Sequence, residues 1–157
     1  MTWVRFGPGE TPIPDALLVG ADGTPLSPAR FRGQCNLLLF VAHDAQCAAC
    51  RELLAAFAAH RHELAALETA MLVVWPGPVP NPVTPTPTWY EAGDVHGTLR
   101  RRLAGLFAFT TADRPLLFVL DRHGVPYAAW VAEPSPAMDL PRETLAWLQY
   151  IAIQCPE

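Results

Sequence analysis

One unit constrains the fold of this chain more than any other. A short apolar run, residues 36–42, is followed by Cys47-Ala48-Ala49-Cys50, a helical pattern, and a second apolar run, residues 70–75. Continuous hydrophobicity over so short a length reads as a strand buried on both faces. After Cys50, residues Leu53, Leu54, Phe57, Leu64 and Leu67 recur at helical spacing, while Arg51, Glu52, Arg61 and Glu63 fall largely elsewhere on the wheel. The second run stops at Pro76-Gly77-Pro78. A strand, a helix and a strand in this order predict a right-handed crossover and parallel pairing. The two cysteines open the helix on one face, at a separation a disulfide can bridge. The positive end of the helix favours thiolate over thiol. Dithiol redox chemistry is the first function this arrangement points to.

Composition narrows the alternatives. With 157 residues, 51% apolar and 17% charged, the chain reads as a single globular domain over residues 1–157. A net charge of −4 without a basic stripe argues against nucleic acid as a partner. The one dense basic cluster, Arg100-Arg101-Arg102, falls within an expected helix and reads as a solvated face. Residues 1–8 lack the continuous apolar stretch of a secretory signal, and no run reaches membrane-spanning length. The expectation is a soluble, cytoplasmic protein without a membrane partner. Four cysteines are too few for a disulfide scaffold in a chain of this length, so the C-x-x-C pair is catalytic or metal-binding. Zinc would need a further ligand pair, whereas Cys35 and Cys155 are single and the histidines are scattered. Metal is therefore not expected.

Residues 1–16 are rich in Pro and Gly and are expected to lie extended over the surface. Residues 17–26 read as a hairpin turning at Asp22-Gly23, and Ser27-Pro28 opens a short helical turn through Phe31. Six prolines in residues 76–88 make a long, semi-rigid connection. A helix is expected over residues 95–104, with Asp94 as N-cap and Gly105 past its end. Residues 116–120 and 125–131 read as an antiparallel pair joined at Asp121-Arg122-His123-Gly124. A closing helix over 141–154 puts Leu145, Leu148, Ile151 and Ala152 on its apolar face. Trp75, Trp89, Tyr90, Trp130 and Trp147 read as core or loop-packing residues.

This order, with C-x-x-C at the start of the first long helix, resembles the thioredoxin-like superfamily. The resemblance runs over residues 15–153 and is closest to the redoxin branch, including the alkyl hydroperoxide reductase/thiol-specific antioxidant (AhpC/TSA) type. Three segments carry it. Asp22 to Leu26 through Phe31-Arg32-Gly33 looks like the redoxin hairpin and short helix, and Leu37 to Cys50 looks like the active-site strand and helix. Arg114-Pro115 through Gly124 is similar to the segment that opens with the family's cis-proline. The pattern departs from the family at Gln46, where an aromatic residue is usual, at Ala48-Ala49, and in the absence of an acid within residues 37–42. A peroxidase of this family would carry proline and Thr or Ser seven and three residues before its reactive cysteine; counted back from Cys50, those positions hold His43 and Cys47.

The resemblance implies an α/β three-layer sandwich, a central mixed sheet flanked by helices, with an N-terminal β-hairpin extension. It implies Cys47 as the attacking thiolate and Cys50 as the residue that resolves the mixed disulfide. It places Pro115 in a cis peptide beside them, where the preceding backbone pairs with substrate. Arg114 is a candidate to lower the thiolate pKa or bind an acidic substrate group, against the equal reading of an exposed loop arginine. His43 and Asp44 are candidates for proton transfer, against the bland reading of solvated loop residues. No metal or organic cofactor is implied. Protein or small-molecule disulfides and thiols would be substrates, and a partner dithiol would supply electrons. The competing readings are a thiol peroxidase, with Cys50 peroxidatic and Cys47 resolving, and a redoxin-fold binding protein whose thiols do not turn over.

Overall fold

The computed structural model describes residues 2–6, 11–80, 88–107, 111, 114–132 and 140–154. Eight strands form one sheet: β1 (Thr2–Arg5), β2 (Leu18–Gly20), β3 (Pro25–Leu26), β4 (Asn36–Val41), β5 (Thr69–Pro76), β6 (Trp89–Asp94), β7 (Leu116–Leu120) and β8 (Pro126–Val131). The helices are α1 (Ala48–Ala59), α2 (Arg61–Ala66), α3 (Thr98–Ala104) and α4 (Leu140–Gln154), with a 3-10 turn at Pro28–Phe31. The sheet order is β1-β8-β7-β4-β5-β6-β2-β3. Strand β4 pairs parallel with β5 and antiparallel with β7, and β5 pairs parallel with β6, so the sheet is mixed.

Alternation along the central strands builds two cores. Leu37, Leu39 and Val41 of β4 face one side with Leu99 and Leu103 of α3. Leu38 and Phe40 face the other with Leu54 and Phe57 of α1, Leu64 of α2, and Leu145, Leu148 and Ile151 of α4. The result is helix, sheet, helix in three layers, each large apolar side chain contributing about 1.5–3 kcal/mol by leaving water. Ala152 departs from the expected apolar face of α4 and is exposed.

The hairpin forms as its residues dictate. Asp22 Oδ1 accepts from Thr24 N at 3.1 Å and from Thr24 Oγ1 at 2.6 Å, and Gly23 takes φ 86° at the corner. Four features differ from expectation. The N-terminal segment is not merely draped: Thr2–Arg5 adds an antiparallel edge strand to β8, and Trp3 lies 6.0 Å from Trp147 of α4. The long helix breaks at His60, whose φ −102° and ψ 15° leave the helical region while its Nδ1 lies 2.9 Å from Glu63 Oε1. Strand β6 is a full member of the sheet, although Trp89–Asp94 carries Glu, Gly and Asp, residues poor in strands. Finally, α3 starts at Thr98 rather than Val95 because Asp94 ends β6. Its buried carboxylate still caps the helix, accepting from Leu99 N at 3.3 Å and Arg100 N at 3.0 Å.

Candidate active site

The cysteine pair stands where β4 ends and α1 begins, at the carboxyl end of the parallel strands, the usual position for a site in an open α/β sheet. The connecting loop is turned by Asp44. Its Oδ1 accepts from Gln46 N at 2.9 Å and its carbonyl from Cys47 N at 3.2 Å. Cys47 is thereby set as the N-cap of α1, extended at φ −68° and ψ 110°, with its sulfur accepting the Cys50 N–H at 3.1 Å. A sulfur in this position takes one of the unsatisfied amides of the first turn and sits at the positive end of the helix. Cys47 is half-buried.

Cys50, one turn on, is fully buried. Burial, first, and then the hydrogen bond and negative charge of Cys47 push its thiol up to about 12, against opposing pulls from the His43 backbone and Arg100. His43 reaches back from the end of β4 and places Nδ1 3.7 Å from Cys50 Sγ. The two sulfurs and His43 thus form one cluster, with a ligand atom from each within 4.8 Å of the others. Cys47, Cys50 and Cys35 are all free thiols. Cys35 is half-buried and packs against the core on the α3 side of the sheet, away from the pair.

The other expected site residues are sorted by the geometry. Asp44 is exposed and its carboxylate is committed to the loop turn. Pro115 is buried at the start of β7, and since Val41 pairs with Leu116 it flanks the exit of β4. The Arg114–Pro115 peptide is trans, contrary to the expected cis bond. The Arg114 carbonyl accepts from Arg100 Nη2 at 2.6 Å, and Pro115 O accepts from Ala132 N at 3.2 Å, so both carbonyls are engaged within the chain. Arg114 itself is half-buried, and among the described residues its bonds are made by the backbone. Cys155 lies outside the described residues.

Arg100 was not foreseen. In the triplet read as a solvated face, Arg101 and Arg102 are exposed and bond His96 O and Asp15 O, but Arg100 turns inward. Besides the Arg114 carbonyl it donates to Thr111 O at 2.6 Å and Ala42 O at 3.4 Å. The available signal was its place beside the buried stripe of Leu99 and Leu103.

Comparison with known proteins bears on the fold. No protein-family model matches the chain, and no curated protein matches it in sequence. Solved structures match it in fold. Peroxidoxin BcpB from Mycobacterium tuberculosis superposes with a TM-score of 0.68 at 17% identity, over 90% of this chain and 96% of that one. A putative thiol:disulfide interchange protein DsbE from Chlorobium tepidum gives 0.62 at 18% identity, over 87% and 95%. A yeast mitochondrial 1-Cys peroxiredoxin gives 0.73 at 12% identity, over 92% and 76%. With the sheet order and the two helical layers, these likenesses establish a thioredoxin-like α/β fold of the kind the redoxins share.

Proposed function

We propose that the protein is a thiol–disulfide oxidoreductase that works through Cys47 and Cys50. The observation that carries this reading is the inequality of the two sulfurs. Cys47 accepts an amide N–H at a helix N-terminus and is half-buried, whereas Cys50 is sealed from solvent beside His43. The Cys47 thiolate attacks a substrate disulfide, forming a mixed disulfide and expelling one substrate thiolate. Cys50 gives its proton to His43 and attacks Cys47 Sγ; the second substrate sulfur leaves as a thiolate, which can take that proton back from His43, and a Cys47–Cys50 disulfide remains. A partner dithiol then reduces that disulfide. The likeness to a thiol:disulfide interchange protein supports the same chemistry, with protein or small-molecule thiols and disulfides as partners.

The peroxidase reading draws support from the peroxidoxin and peroxiredoxin neighbours, but it asks the thiol raised to about 12 to act as the peroxidatic thiolate. Reduction of a protein disulfide and thiol-dependent consumption of peroxide by Cys47→Ser and Cys50→Ser separate the two. Disulfide exchange should vanish with Cys47→Ser, while Cys50→Ser should accumulate a mixed disulfide at Cys47. Peroxide turnover that survives Cys47→Ser and vanishes with Cys50→Ser would replace this reading with the peroxidase.

A further inference from the structure

His43, Cys47 and Cys50 do more than bracket an exchange reaction. One donor atom from each lies within 4.8 Å of the other two, and Cys50 Sγ stands 3.7 Å from His43 Nδ1. A metal bonded to sulfur at about 2.3 Å and to imidazole nitrogen at about 2.05 Å holds those atoms about 3.6 Å apart at a tetrahedral angle and about 3.8 Å at a trigonal one. The observed separation lies between the two, so one ion can bond both atoms where they stand. The three donors are also held in place before any ion arrives. Asp44 turns the loop between His43 and Cys47, and the first turn of α1 fixes Cys47 relative to Cys50. The expectation of no metal rested on looking for a second ligand pair; the third donor instead lies four residues upstream of Cys47.

The donor set selects the ion. Two thiolates and an imidazole are soft, favouring Cu(I) or Zn(II) over harder cations. Zinc fills four positions, and on three protein donors it needs a water in the fourth. Among the described residues no fourth His, Cys, Asp or Glu joins the group, and the nearby Asp44 Oδ1 is occupied by the Gln46 amide. Cu(I), a closed-shell ion satisfied by two or three soft ligands, matches the number present.

We infer that the reduced protein binds one Cu(I) ion through Cys47 Sγ, Cys50 Sγ and His43 Nδ1. Two Cu–S bonds and one Cu–N bond form, the Cys50 proton and any proton on Cys47 pass to solvent, and copper remains Cu(I) with no electron transferred. The ion takes the place of the proton on the buried Cys50 sulfur. It reaches the site from the side of Cys47 and His43, both half-buried, while Cys50 closes the rear. Oxidation to the Cys47–Cys50 disulfide by a substrate disulfide, which is reduced to two thiols, removes both thiolates and therefore releases the metal. This binding needs the reduced thiols and His43 but not turnover, so it and the exchange reaction can each fail without the other.

The test is an anaerobic titration of the reduced full chain with Cu(I) against a chromophoric Cu(I) chelator. It is done in a Cys35→Ser/Cys155→Ser background, so that no other thiol competes. The expected result is one Cu(I) per chain, lost with Cys47→Ser and with Cys50→Ser. In His43→Gln, and in His43→Ala as a second variant, affinity should fall by more than the roughly 10–100-fold seen when a group that merely orients a ligand is removed. X-ray absorption should show two sulfurs and one nitrogen around copper, and unfolding of the metal-free variants checks that each is folded. Failure to hold copper against the chelator, unchanged affinity in both His43 variants, or one ion shared by two chains would each overturn the inference.

Discussion

Arg100 holds the carbonyl of Arg114 through an Nη2 hydrogen bond of 2.6 Å, and the same guanidinium spans to Thr111 O at 2.6 Å and Ala42 O at 3.4 Å. The end of β4 and the segment entering β7 are thus tied together on the flank of the cysteine loop. Arg100→Met should leave these carbonyls without their donor. Hydrogen bonds to charged groups contribute about 1.5–3 kcal/mol when well buried, and partial exposure discounts this to about 1–2 kcal/mol here. Arg100→Lys should recover only part, because one ammonium cannot reproduce the planar fork. Urea midpoints of the three proteins check the order; a Met variant as stable as the parent would show that the clamp holds nothing together.

The buried Cys50 thiol makes reduced-state stability depend on alkaline pH. Its folded value stands near 12, above the ordinary 9.0, so between these values the unfolded chain gives up a proton that the folded chain keeps. The unfolded state then binds fewer protons, and stability falls as pH rises. The contribution is fully present below about pH 9 and drains away toward pH 12. Unfolding the reduced protein and Cys50→Ala at pH 8 and pH 10.5 isolates it: the gap between parent and variant should shift against the parent at the higher pH. A gap independent of pH would mean that Cys50 titrates normally. Oxidised protein, having no thiol to titrate at this position, should lack the effect.

How much of this could be read from residues alone follows from the range of the interactions. The β4–α1–β5 unit, the hairpin and the β7–β8 pair were legible because period, proline stops and Asp-Gly turns are local. The cysteine pair was legible for the same reason, both thiols lying within one helical turn. Strand β6 was not, because Trp89–Asp94 is held by neighbours on both sides rather than by its own apolar pattern, with Glu91 accepting from the indole of Trp75, 16 positions away. The third donor, His43, depends on a loop turn made by a single side chain, Asp44. Arg100 depends on carbonyls 11, 14 and 58 positions away in sequence. The trans peptide at Pro115 likewise sits beside a carbonyl already engaged by that arginine.

Gly93 is required by a close approach of two backbones. A Cβ there would run into the Gly77 carbonyl oxygen, with Gly77 C at 3.2 Å and Pro78 Cα at 3.3 Å behind it. These are main-chain atoms at the end of β5 that cannot rotate aside, and Gly77 is itself held at φ 84°. Gly93→Ala should therefore cost about 1–3 kcal/mol, the range for overpacking. Gly23→Ala is the comparison, since its Cβ would meet nothing within 4 Å and its strain comes only from φ 86°. Thermal unfolding should rank Gly93→Ala as the more damaging; the reverse order would mean that the β5 turn yields easily.

Glu91 supports the wall of the α1-side core through two indoles. Its Oε1 accepts from Trp75 Nε1 at 2.8 Å and its Oε2 from Trp89 Nε1 at 3.3 Å, while the Arg61 guanidinium lies 5.8 Å from the Trp89 ring. Trp75 is only 4% exposed, so its N–H has no ready replacement from solvent. Glu91→Ala should cost about 1–3 kcal/mol, mostly from that orphaned donor. Glu91→Gln keeps one acceptor oxygen but turns an amide N–H₂ toward the second indole, so it can satisfy Trp75 or Trp89 and not both. The expected order of denaturation midpoints is parent, then Glu91→Gln, then Glu91→Ala, with tryptophan emission shifting to the red in the Ala variant as water reaches the half-buried Trp89 indole. Equal midpoints for Gln and Ala would show that one indole bond alone stabilises nothing.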